Sequence, residues 1–281
     1  MQILVDSARR RQSVLVAGLD PIPDRLPPAV LEAGLSEVRA TEAFCRGILV
    51  AIEPYVAAVK LQAAYFERLG PAGMQVYAEL IEQADALGLP VIADVKRGDI
   101  GPVAAAYAEA HLAVYGAACV TVNPYMGNDA VLPFLEQTRL LNRGGGVFSL
   151  VATSNPSAGE LQNLGEPPLY EAAARLVRDA GGGDGEYPDA GAVVGVTHPK
   201  VGRRVRELLP DALFLAPGYG AQGGGAEGVR SLLDARGAGV LVNSSRGILY
   251  AHEDSGLDYR EAARQAARSA REELRGIGAR M

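Results

Sequence analysis

The chain has 281 residues, of which 48% are hydrophobic and 21% charged, and its formal net charge is −6. Such a composition belongs to a folded domain rather than a disordered chain, and the length fits two small domains or one α/β barrel of about 250 residues. The acidic balance argues against non-specific nucleic-acid binding, which needs a broadly basic surface, but it leaves room for a local pocket that takes a small anion.

The N-terminal stretch M-Q-I-L-V-D-S-A-R-R-R lacks the charge, apolar core and cleavage-site order of a signal peptide. No apolar run reaches the ~18 residues of a membrane helix, so a cytoplasmic protein with no membrane association is expected. Short β-branched runs then recur: V-L-V-A-G-L-D at 14–20, V-A-A-V-K-L at 56–61, P-V-I-A-D-V at 90–95 and A-C-V-T-V-N at 118–123. They continue with G-V-F-S-L-V-A-T at 146–153, A-V-V-G-V-T at 192–197, A-L-F-L-A-P at 212–217 and G-V-L-V-N-S at 239–244. Most are nearly continuous in apolar residues, the pattern of strands covered on both faces. Helical spacing marks 73–87, 102–115, 169–180, 200–209, 225–235 and 258–275. Eight strands alternating with helices predict an α/β chain forming one single-domain (β/α)8 TIM barrel of parallel strands over 1–281, with loop insertions near 21–43 and 155–190. A doubly wound sheet is the alternative. The first turn, G-L-D-P-I-P, has no glycine fingerprint for a dinucleotide.

The two cysteines, Cys45 and Cys119, form no CxxC pair, and His111, His198 and His252 show no metal-ligand spacing. Neither a structural disulfide nor a zinc site is indicated. In a barrel the chemistry sits where the strands end at their C-terminal side. Those positions carry Asp20, Lys60, Asp94 with Lys96, Asn123, Thr153 with Ser154, and Ser244 with Arg246. One such residue would be an ordinary solvated strand end, but several would converge on one mouth. Lys60 follows an apolar run and needs a counter-charge there; Asp94, on the next strand, is the natural one. Asp94 and Lys96 share a strand face, and Asp99 lies beyond the turn at Gly98. An alternating array of Lys60, Asp94, Lys96 and Asp99 would keep all four groups ionised. The glycine-rich P-G-Y-G-A-Q-G-G-G-A-E-G at 217–228 follows strand 7. With Arg246 after strand 8, it marks the usual phosphate site of this architecture.

These motifs resemble those of the orotidine 5′-phosphate decarboxylase family, in its longer bacterial (type 2) subgroup. The resemblance rests on G-L-D-P (18–21), V-K-L-Q-A-A-Y-F-E (59–67), D-V-K-R-G-D-I (94–100), T-S-N-P (153–156), P-G-Y-G-A-Q-G-G (217–224) and S-R-G-I (245–248), in family order. It implies conversion of orotidine 5′-monophosphate to UMP and CO2 without metal or organic cofactor. Lys96 would deliver a proton to C6, with Asp94 beside the departing CO2. Lys60 and Asp99 would complete the array, Asp99 reaching in from the partner of a homodimer. Asp20 and Lys60 would meet the ribose hydroxyls, Ser154 the pyrimidine edge, and Gln222 and Arg246 the phosphate. Ile100 would line the apolar part of the pocket; Thr153, Pro217 and Gly223 are further expected substrate contacts. The rival readings are a metal-dependent sugar-phosphate decarboxylase or aldolase, for which Glu67 is the candidate extra ligand, and a barrel that binds nucleotides without catalysis.

Overall fold

A computed structural model describes residues 1–31, 33–220 and 223–281. Eight strands appear in chain order: β1 (Leu15–Leu19), β2 (Ala58–Gln62), β3 (Val91–Arg97), β4 (Cys119–Val122), β5 (Gly146–Ala152), β6 (Ala190–Val194), β7 (Phe214–Ala216) and β8 (Val240–Ser244). Each pairs in parallel with the next, and β8 returns to β1, so the sheet closes into a barrel. Every strand overlaps one of the eight apolar runs. The main helices are α1 (Gln2–Arg11), α2 (Glu37–Ile52), α3 (Gly70–Ala86), α4 (Gly101–Ala108), α5 (Leu132–Leu141), α6 (Leu169–Ala180), α7 (Pro199–Leu208), α8 (Ala226–Arg230) and α9 (Tyr259–Ile277). Among the described residues, no helix is long and apolar enough to cross a membrane.

Two apolar layers follow from the two-residue period of the strands. Val16, Ala58, Ile92, Cys119, Phe148, Val193, Leu215 and Leu241 pack together inside the barrel, and Leu4 and Val5 of α1 close its lower end. Their neighbours, among them Val59, Leu61, Val91, Ala93, Val120 and Val147, pack outward against the helices. The barrel is therefore filled below, and its inward positions become polar only at the upper ends of β2, β3, β4 and β8. Cys45 and Cys119 are both buried and unbridged.

Three helices differ from expectation by being present at all: α1, α2 and α5. The α2 helix begins inside the stretch 21–43 read as an insertion, and the Ser36 hydroxyl caps its start by accepting the Arg39 N–H at 3.4 Å. The α5 helix carries Pro133 in its first turn, where a missing N–H costs nothing. Two expected helices are altered. The 102–115 segment changes at Ala108 from α-helix to a π-helix over Glu109–Val114, and the 225–235 segment is helical only over α8.

Candidate active site

At the C-terminal ends of the strands lies a cavity of about 480 Å³, a size that suits a nucleotide-scale ligand. Its polar wall is built by strand alternation. Lys60 and Gln62 come from β2, Asp94 and Lys96 from β3, Thr121 from β4, and Asp20 follows β1. Leu150, Val193 and Leu215 form an apolar side from β5, β6 and β7. Thr153, Ser154, Pro217 and Arg246 reach the same cavity, as expected. Close packing at the β1–β8 seam depends on Gly18: a Cβ there would lie 1.9 Å from the Ser245 hydroxyl oxygen.

Asp94 is the centre of the charged wall. Its Oδ1 accepts from Lys96 Nζ at 2.6 Å and from the Thr121 hydroxyl at 2.9 Å. Its Oδ2 lies 2.9 Å from Lys60 Nζ and accepts from Gln62 Nε2 at 3.2 Å. A carboxylate offers about four lone-pair sites, so Asp94 is saturated. Lys60 also approaches Asp20 Oδ1 at 3.5 Å. Burial by itself would raise the Asp94 pKa, but the Lys60 and Lys96 ammonium groups overcome it and hold Asp94 well below the usual carboxylate range. Burial likewise works against the Lys60 charge, and Asp94 and then Asp20 reverse it, so Lys60 is raised above an ordinary lysine. The two lysines are unequally placed: the Lys60 side chain is 6% exposed and that of Lys96 44%. Only Lys96 presents its ammonium openly to the cavity.

Three expected contacts fall elsewhere, and a fourth is not among the described residues. Asp99 and Ile100 do not line the cavity of their own chain. The Asp99 carboxylate accepts the Ile100 N–H at 2.8 Å at the start of α4, and Ile100 is 54% exposed. The chain turns outward at Gly98, where a Cβ would stand 2.9 Å from the Asn123 carbonyl oxygen. Gly223 is exposed and outside the cavity lining, and Gln222 lies outside the described residues. The glycine-rich loop also folds on itself more than its sequence suggests. The N–H groups of Gly220, Gly223 and Gly224 donate to Gly224, Gly220 and Gly218 carbonyls, so those three donors are already used.

Glu67, the candidate metal ligand, pairs with Arg97 instead and does not line the cavity. Among the described residues, no three His, Cys, Asp or Glu side chains are grouped to hold a metal ion. Asn123 accepts the Tyr125 N–H at 3.1 Å as a local cap and does not touch the charged group. His198 is exposed at the start of α7 and does not line the cavity. The sequence reading missed Gln62 and Thr121. A signal for both existed: Gln62 is two residues beyond Lys60 on the same strand face, and Thr121 is the inward residue two beyond Cys119.

Residues 15–264 match the model of the orotidine 5′-phosphate decarboxylase / HUMPS family. The orotidine 5′-phosphate decarboxylase of Rhodopirellula baltica is 41% identical, covering 95% of this chain and 96% of its own. That of Deinococcus radiodurans is 40% identical, over 98% of this chain and 96% of its own. The structure of Leishmania donovani OMP decarboxylase superimposes with a TM-score of 0.78 at 31% identity, covering 99% of each chain.

Proposed function

The chain belongs to the orotidine 5′-phosphate decarboxylase family, and from that membership we propose how its cavity converts orotidine 5′-monophosphate to UMP and CO2 as a carboxy-lyase of pyrimidine biosynthesis. The observation that carries the reading is the charged row Asp20–Lys60–Asp94–Lys96, buried at Lys60 and Asp94, which ends in one ammonium open to the cavity. Breaking the bond from C6 to the carboxylate leaves the electron pair in an sp² orbital that the ring does not delocalise. Lys96 stabilises that developing charge and then transfers one ammonium proton to C6. Its amine is reprotonated from solvent. Water would have to reorient to do the same, whereas the Lys96 ammonium is already held by Asp94.

Asp94 is not a base in this scheme. Its four acceptor positions are filled and its pKa is depressed, so it acts as a fixed negative charge beside the substrate carboxylate. We assign the ribose hydroxyls to Asp20 and Lys60, the pyrimidine edge to Ser154 with Thr153, and the phosphate to Arg246 with Gln222. Pro217 belongs to the same substrate-binding wall. The proposed unit is a cytoplasmic homodimer in which Asp99 and Ile100 complete the neighbouring cavity. Their position outside their own chain's cavity supports this, as do the exposed Val103 in α4 and Tyr125 and Met126 just after β4.

A spectrophotometric assay with orotidine 5′-monophosphate tests the mechanism. Lys96→Ala lowers turnover roughly 10⁴-fold or more, the combined size of lost acid catalysis and lost charge stabilisation, while UMP still binds. Normal turnover in that variant would refute Lys96 as the donor. The wild-type rate should be unchanged by EDTA; a rate that collapses with chelator and returns with Mg²⁺ would favour the metal-dependent alternative.

A further inference from the structure

The ladder between β3 and β4 is broken where the site is built. Ala93 pairs with Val120 and Arg97 with Val122, so Asp94, Val95 and Lys96 together face the single residue Thr121. The bulge places Lys96 at φ 48°, a left-handed backbone conformation that side-chain-bearing residues rarely adopt. Within the bulge the N–H groups of Val95 and Lys96 turn to a β4 side chain. The Thr121 hydroxyl oxygen accepts both, each at 3.0 Å. A hydroxyl has two lone pairs and one proton. With both pairs taken, the proton is directed to Asp94 Oδ1 at 2.9 Å, the oxygen that also holds Lys96 Nζ at 2.6 Å. Thr121 is 1% exposed, so no solvent competes for these bonds.

We propose that Thr121 is a positioning residue for proton delivery: its hydroxyl closes the β3 bulge and orients Asp94, and through both it sets where the Lys96 ammonium stands. The strained Lys96 backbone and the Asp94 carboxylate are then two parts of one device with Thr121 at its centre. An ordinary strand without the bulge would give the same sequence spacing but no means of holding the lysine backbone in this conformation. A side chain of the same shape that lacks the hydroxyl would leave one buried N–H group, one partly buried N–H group and one carboxylate oxygen short of a partner. The ammonium would shift by a fraction of its reach, and small misplacements of a reacting group are costly in rate.

This inference rests on Lys96 being the proton donor, and the experiment separates the two. Thr121→Val, nearly isosteric, is compared with Thr121→Ser, which keeps the hydroxyl, with Lys96→Ala as control. We expect Thr121→Val to lower kcat by roughly 10²-fold while UMP affinity and KM stay within about threefold, and Thr121→Ser to retain most of the rate. The proposal is overturned if Thr121→Val keeps kcat within about threefold of wild type, if KM rises as much as kcat falls, or if Thr121→Ser loses as much as Thr121→Val. If Thr121→Val does not fold, Thr121→Ala against Thr121→Ser reads the same hydroxyl by the same criteria. Normal turnover in Lys96→Ala would instead overturn the donor assignment. Loss in Lys96→Ala with none in Thr121→Val would overturn only the role of Thr121.

Discussion

Asp20, Lys60, Asp94 and Lys96 enter the cavity from the ends of β1, β2 and β3, whereas Arg246 enters from the end of β8. In the proposed mechanism this separation by strand divides the labour between reacting group and anchor. Arg246 can bind a phosphate oxygen pair bidentately, and three of the N–H groups in the neighbouring glycine-rich loop are spent on that loop's own carbonyls. If Arg246 holds the phosphate as proposed, its guanidinium would carry more of that affinity than a glycine cradle would leave to it. Arg246→Ala should weaken UMP roughly 10- to 100-fold, the loss of one or two charge-assisted hydrogen bonds, and leave uridine binding nearly unchanged. Calorimetric titration of both ligands decides the matter, and equal losses for nucleotide and nucleoside would reject the clamp. At this scale the charged residues were legible because ionisable groups at ends of apolar runs stand out. Gln62 and Thr121 were not, because a neutral polar residue at a strand end is unremarkable until its partner Asp94 is seen. The bulge was hidden for a related reason: Asp94 and Lys96 have the same two-residue spacing whether the strand is regular or not.

Helices were most legible where one face alone is apolar, as in α6, α7 and α9. The α6 helix matches its expected span, 169–180, end to end. The α2 helix buries Ala40, Thr41, Phe44, Cys45, Ile48, Leu49 and Ile52, a clear helical period, which reading 21–43 as an insertion concealed. The change from α4 to π-helix gave no sequence signal, yet it has a consequence. His111 lies in the π segment, 3% exposed, with its ring edge-on to Tyr77 at 6.2 Å and with Nδ1 lacking a hydrogen-bond partner among the described residues. Burial first and the Arg97 charge second lower its pKa to about 4, against a smaller opposing effect of Glu67. A base with a depressed folded pKa binds fewer protons than the unfolded chain between the two values, so stability falls as pH drops from about 6.5 to about 4. The loss over that window is on the order of 3 kcal/mol. His111→Phe keeps a ring against Tyr77 and Tyr115 but cannot be protonated. Urea melts at pH 7 and pH 4 should show wild type losing about that much more stability than the variant. Parallel losses in both proteins would show that His111 is not the group responsible.

Across the whole molecule the barrel was legible from the alternation of elements, because parallel strands covered on both faces must be continuously apolar. What one chain's sequence does not state is which cavity a strand-end residue serves. Asp99 illustrates this: it is five residues from Asp94, yet it does not line the cavity that holds Asp94 and caps the Ile100 N–H instead. If each cavity takes Asp94 from one chain and Asp99 from its partner, two inactive variants can repair each other. In a hybrid of Asp94→Asn and Asp99→Asn subunits, one cavity receives both substitutions and the other neither. Random mixing makes about half of the dimers hybrid, each with one intact cavity of two, so about a quarter of wild-type activity should return. If Asp99 instead serves its own chain, every cavity in every dimer carries one substitution and nothing returns. The two variants are unfolded and refolded together, with distinguishable tags to confirm hybrid formation. Activity near a quarter of wild type supports the shared site. Confirmed hybrids without recovery would show that Asp99 does not act across the interface.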